Sequence, residues 1–519
     1  VISTRRFELP KRVLLLLGAV VMLLAGCAGG GASTGPVDES VLRIAAGIDN
    51  DSFDPAQLSG GQKDNYWQAV YDTVLKLDYA TQEPKPNLAT SFEYDTTKTR
   101  LTLTIRDDVK FSDGSALDAD AVAKNILRLR DGKGPNGYMA ANVAGAVATD
   151  ATTAVISFKQ VDPAFLGYLT TTAGAIGNPK FLGDASLGTT PQGSGPYVLD
   201  KAATTPGDTY VFTRNPYYWN KADFPFDSVV IKPIVEMSAR LNALKSGQVQ
   251  GAIIETSAIE AARATDGLAI KAQATDWRGL MLADRNGTKT PALADVRVRQ
   301  AINYALDGSA YLDALEQGNG TPSGQIFLPD APGYVEALDK RYPYDPAKAR
   351  ELLAEAGYAD GFDLVLPAFD YRSTVQPVMV QQLADVGIRA IMEPVVPDLY
   401  NTTVRSGKFS AWWIQLTSGD AWRNVEKNVP KKASWNAFRV EDPKALQLME
   451  TARAAYGDDA AYRKAMGDVS AYLVEQAYYA PWYRIDSFYV TSGGLDFTFS
   501  PWATAPELRT FRPGTPSGS

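Results

Sequence analysis

Hydrophobic and polar positions recur along this chain with two different periods, and the switches between them mark out its elements. In the first block after Asp295, apolar residues return every three or four positions, at Val298, Ile302 and Ala305. A second block follows Asp345, with Ala349, Leu352, Leu353 and Ala356 on one face. Both spacings predict amphipathic helices. Asp345 can accept first-turn N–H groups, Pro346 suits the first helical position, and Gly357 supplies a left-handed stop. Asp118 caps another helix, whose inner face is Val122, Ile126 and Leu129.

Elsewhere the period shortens to two. Leu42-Arg43-Ile44-Ala45 and the series Leu101, Leu103, Ile105 predict strands. Between Ile231 and Ile254 the pattern reads strand, helix (around Ala239 to Lys245) and strand. It continues with a strand at Leu364 to Leu366, a helix from Val375 to Val386 stopped by Gly387, and a strand from Ile388 to Met392. Helices at Leu446 to Tyr456 and Ala461 to Glu475 precede APWYRIDSFYV. Strands alternating with helices imply an α/β protein with mixed sheets, and 519 residues allow more than one domain.

The first two helical blocks also carry a family pattern. D-x-R-V-R-x-A-I-x-x-A-L-D from Asp295, then Y-D-P-A-K-A-R-E-L-L-A-E-A-G-Y-x-x-G-F from Tyr344, resemble the larger lobe of family 5 extracytoplasmic solute-binding proteins. These are the oligopeptide-, dipeptide- and nickel-binding proteins of bacterial ABC importers. The resemblance extends to YWQAVYDTVLKLD from Tyr66, to Gly193-Ser194-Gly195-Pro196-Tyr197, to the Asn-Pro turn before Trp219, and to QQLADVGI from Gln381. It departs at Ser112, where many members have histidine, and at Ala121, where the usual acid of a capping box is missing. In role, Trp219 reads as a core residue and Asp54-Pro55 as a turn.

The resemblance implies a two-lobed periplasmic-binding-protein-like flytrap, type II, of the large cluster C form. Lobe I is expected to comprise 41–66, 193–279 and 480–512, with an extra subdomain over 67–192. Lobe II is expected over 280–479, with a loose tail at 513–519. A solute, foremost a short peptide, is expected between the lobes for delivery to an ABC permease and ATPase. An oligosaccharide, opine or metal chelate, a sensing role, and a secreted hydrolase are the alternatives.

The N-terminus reads as a targeting segment. Arg5, Arg6, Lys11 and Arg12 precede an apolar run from Val13 to Gly26, a length suited to a signal peptide rather than a membrane span. Leu24-Ala25-Gly26-Cys27 resembles the bacterial lipobox, which implies cleavage after residue 26 and lipidation of Cys27. Residues 27–40, rich in Gly and Ser, then form a tether holding an extracytoplasmic monomer at the outer face of the membrane.

Composition narrows the chemistry. There is no histidine, which removes His-dependent triads and imidazole metal sites, and one cysteine, which removes intrachain disulfides. The formal charge is −8; removing residues 1–26, which carry +3, leaves −8 − 3 = −11. So acidic a surface opposes nucleic-acid binding. No cofactor and no metal site is expected. The candidate ligand contacts are the aromatic side chains Tyr66, Trp67, Trp277, Trp412, Trp413 and Trp435, with core packing as the competing role for each. Family resemblance adds Asp420 as a partner for a ligand ammonium, against a solvated loop aspartate, and Arg372 is a candidate for a carboxylate.

Overall fold

One long mixed sheet runs through the molecule, and two unusually long strands hold it together. In the computed structural model, which describes residues 39–368, 375–417, 419–501 and 503–514, these are β12 (Leu268–Leu282) and β17 (Tyr479–Ser492). They pair antiparallel with each other along most of their length. On one side of β17 the order continues through β11 (Gly251–Ile254), β1 (Val41–Ala46), β10 (Ser228–Pro233), β9 (Tyr210–Arg214) and β8 (Tyr197–Leu199). On the other side, β12 pairs with β16 (Ala411–Thr417), which ends the sheet, while β13 (Gly320–Pro322) pairs with β17. β1 lies parallel to β10 and β11, whereas the remaining pairs are antiparallel.

Three smaller sheets complete the strands. β4 (Ala89–Tyr94), β5 (Arg100–Ile105), β7 (Thr153–Phe158) and β6 (Val143–Ala148) form an antiparallel sheet in that spatial order. β2 (Leu75–Leu77) pairs with β3 (Pro84–Pro86). β14 (Phe362–Pro367) and β15 (Ile388–Glu393) are parallel, with the helix Val375–Asp385 between them in sequence.

The helices form where the caps lie. Asp345 accepts from Lys348 N at 2.9 Å to start Pro346–Glu355, and Gly357 stops it at φ 88°. Asp295 accepts from Arg297 N, and Val298, Ile302 and Ala305 are fully buried on Val296–Ala305. Asp118 accepts from Ala121 N at 2.9 Å before Ala119–Asp131. Two late helices begin earlier than their apolar stripes, because Asp442 and Asp458 cap Pro443–Ala455 and Asp459–Glu475. Gly193 packs so tightly that a Cβ there would lie 2.1 Å from Val70 O.

Trp219 packs against two of the buried clusters, in keeping with the core reading, and has a polar role besides. It is half-buried, donates its indole N–H to Asp72 Oδ2 at 2.8 Å, and carries the Arg106 guanidinium 4.0 Å above its ring. Asp72 is buried and also accepts from Asn87 and the Tyr218 hydroxyl, so this tryptophan closes a polar network.

The described residues from Ser40 onward form one compact unit. A single buried cluster joins the β4–β7 sheet, through Leu103 and Phe158, to the helices Pro443–Ala455 and Asp459–Glu475, through Met449 and Met466. A second cluster lies under β14 and β15, and a third packs Tyr66 and Trp67 against β9 and β10.

Candidate functional site

β16 has a strand partner on one edge only, among the described residues. Along its other edge opens a cavity of about 510 Å³, inside the range of roughly 300–1,000 Å³ usual for small-molecule sites. Residues 412–417 of β16 form one wall. Ala368, just past β14, and Val395, Pro397 and Tyr400, just past β15, form another. The space therefore lies beyond the carboxyl ends of a parallel pair, where α/β sheets open a crevice.

The edge is partly dressed by side chains. Tyr400 OH donates to Trp413 O at 2.9 Å, and Lys427 Nζ donates to Thr417 O at 3.1 Å. Backbone groups of alternate residues leave a strand in the same direction. Gln415 therefore presents its N–H and C=O outward, between two carbonyls already occupied.

The side chains behind this edge are polar and buried. β12 slips register between Ala274 and Asp276, and such a bulge re-aims the residues that follow it. Asp276 and Arg278 then share a sheet face with Thr417 and Gln415. Gln415 Nε2 donates to Asp276 Oδ2 at 2.6 Å, while Gln415 Oε1 accepts from Arg278 Nε at 2.9 Å. Arg278 pairs in turn with Glu316, and both are almost fully buried. Glu316 also accepts from Tyr483 OH at 3.2 Å and from Thr256 Oγ1 at 3.1 Å. Thr256 belongs to the helix Thr256–Arg263 beside β11, so this chain of bonds runs from the cavity wall into the opposite half of the sheet.

Beyond β16 the chain turns into the short helix Ala421–Glu426. Asp420 is its cap, accepting from Arg423 N at 2.8 Å, and is half-buried. Burial pushes its carboxyl up to about 6, with that backbone bond and Arg423 pulling the other way. Burial likewise raises Glu426 to about 7, with Asp162 adding to the shift. It lowers Lys427 to about 7, aided by Arg423 and opposed by Asp276 and Asp420.

Of the residues proposed from sequence, Trp412, Trp413 and Trp435 line the cavity together. Trp435 also carries Arg405 over its ring at 3.9 Å. Trp277 is fully buried, edge-on to Tyr479 with ring centroids 5.4 Å apart. Tyr66 and Trp67 lie in the separate third cluster. Asp420 does not line the cavity. Arg372 and Cys27 lie outside the described residues. Sequence reasoning missed Asp276, Tyr400 and Gln415. The one signal for Asp276 is the alternation Asp276, Arg278, Leu280, Leu282, which sets two charges on an otherwise apolar face.

Fold and cavity together define an α/β solute-binding protein of the periplasmic type, with mixed sheets. Residues 83–425 match the bacterial extracellular solute-binding proteins, family 5 middle, and the chain belongs to that family. It is 31% identical over 386 residues to the glutathione-binding protein GsiB of Shigella dysenteriae serotype 1, covering 73% of this chain and 72% of that one. The periplasmic binding protein DppA from Helicobacter pylori, in complex with the peptide STSA, superposes with a TM-score of 0.76 at 20% identity, over 92% of this chain and 98% of that one. NikA from Brucella suis, in complex with Fe(III)-EDTA, gives 0.77 at 21% identity, over 91% and 99%. The chain is thus a binding protein and not an enzyme, the extracytoplasmic substrate-binding component of an ABC import system.

Proposed function

We propose that this protein captures a short peptide in the cavity beside β16 and carries it to its permease. The observation that bears most weight is the strand edge itself. An extended peptide adding to a sheet edge gains main-chain hydrogen bonds whatever its side chains, and Gln415 offers one outward N–H and C=O for that purpose. Trp412, Trp413 and Trp435 then supply broad apolar contact that tolerates varied side chains. GsiB, a relative at about a third identity, is named for binding glutathione, itself a tripeptide. Arg372 would serve the peptide carboxylate, because a planar guanidinium pairs with one bidentately.

Capture is proposed to close two lobes, split near residues 279 and 479, with β12 and β17 as the connection between them. Closure needs contacts that the ligand makes with both lobes at once. Thermal-shift titration with glutathione and with di- to tetrapeptides tests the solute. A peptide at 100 times its dissociation constant adds about 2.7 kcal/mol of stability. A shift with a sugar or chelate, and none with any peptide, would overturn the peptide reading. Small-angle scattering should show contraction when the peptide is added.

The mature chain is further proposed to be held at the membrane by a lipid on Cys27. In that case Cys27→Ser accumulates unprocessed chains in cell fractions. Normal processing of this variant would refute the anchor.

A further inference from the structure

One group in the cavity wall is left incomplete. Asp276 is 9% exposed and lines the cavity, yet only one of its carboxylate oxygens is engaged. Oδ2 takes the Gln415 amide at 2.6 Å, while Oδ1 is buried with no hydrogen-bond partner. Buried carboxylate oxygens are normally satisfied, so such an atom in a cavity wall calls for a donor from elsewhere.

The surroundings say what kind of donor. Gln415 is fixed between Asp276 and Arg278 and so cannot turn to serve Oδ1 without giving up one of them. The Arg278 guanidinium is committed to Gln415 and Glu316. The Lys427 ammonium, whose field also reaches Asp276, donates to Thr417 O rather than to Oδ1. Farther along β16 the same cavity is lined by the rings of Trp412, Trp413 and Tyr400, whose faces favour a cation. A carboxylate with one unpartnered oxygen, in a cavity lined by aromatic rings, is complementary to an ammonium group more than to a neutral amide.

We infer that Asp276 is the anionic anchor of the cavity, receiving a protonated amine of the solute on its unpartnered oxygen. The inference rests on the cavity being the binding site; the amine can belong to a peptide N-terminus or to a free amine. Asp420, its cap bond made to Arg423 N and its side chain outside the cavity wall, does not serve as this anchor.

Isothermal titration of the mature protein separates these possibilities, with glutathione and trialanine as probes, each beside its N-acetyl derivative, and putrescine as a peptide-free amine. The wild type is expected to prefer the free-amine peptides at least tenfold over the acetylated ones. Asp276→Asn should abolish the preference by weakening the free-amine form alone, while Asp420→Asn preserves it. The wild-type preference reads the anchor without any variant, and the unliganded melting temperature of Asp276→Asn checks its fold. Equal binding of free and acetylated peptides overturns the anchor and keeps the peptide reading, as does a preference that follows Asp420 instead. Binding of putrescine alone, lost in Asp276→Asn, keeps the anchor and overturns the peptide reading. No binding of any probe overturns both.

Discussion

Two aromatic regions of this molecule look alike in sequence and differ in what their polar atoms do. Tyr66 and Trp67 both have their polar atoms answered: Tyr66 OH donates to Ile48 O at 3.2 Å, and Trp67 Nε1 donates to Asp64 Oδ1 at 2.9 Å. The Tyr66 ring meets Tyr210 edge-on at 5.0 Å. Around β16 the same residue types leave business unfinished. The indole N–H of Trp412 and one oxygen of Asp276 are buried without partners. Aromatic content alone does not separate a packed core from a cavity wall; the difference here is an unpartnered carboxylate oxygen beside open space.

The largest effect should come from the polar chain that supports the wall. Arg278→Met leaves Glu316 buried without its counter-charge, which costs about 3–5 kcal/mol. Urea denaturation reads this, and a loss below about 1 kcal/mol would mean that Tyr483 and Thr256 suffice for Glu316. Next, Trp67→Phe removes the donor to Asp64 and should cost about 1–3 kcal/mol of stability, with peptide affinity unchanged. Trp435→Ala should do the reverse, weakening peptide binding about tenfold, or about 1.4 kcal/mol. If Trp67→Phe also weakens binding tenfold, the contrast between the two regions fails.

The smallest effect is a slope. Because burial raises Asp420 from 3.8 to about 6, the folded state holds its proton more tightly than the unfolded chain. The stabilisation from protonation is therefore complete below about pH 4 and declines as pH rises to about 6. Asp420→Asn should flatten that stretch of the melting-temperature profile. A wild-type-minus-variant difference that stays constant from pH 4 to 6 would remove Asp420 from the account.

What could be read from sequence was what depends on neighbours in sequence. The caps at Asp118, Asp295 and Asp345 are local, and the helices follow them. Family pattern carried the architecture further than periodicity could. The wall of the cavity is different in kind. Gln415 meets Asp276 across 139 positions of chain, and that meeting depends on a bulge in β12 which no local pattern announces. Trp412, Trp413 and Trp435 were legible because tryptophan is conspicuous, whereas Tyr400 comes to the cavity through a fold contact, its hydroxyl reaching the Trp413 carbonyl.

That hydroxyl and the Lys427 ammonium also set a ruler. The carbonyls they occupy, on Trp413 and Thr417, are four residues apart, about 13 Å of extended backbone. On the proposed function, a guest strand would find room between them for a few residues and be refused a longer zipper. Bare sheet margins recruit foreign chains and seed fibrils; here the same two side chains that bracket the meal keep the table from being extended.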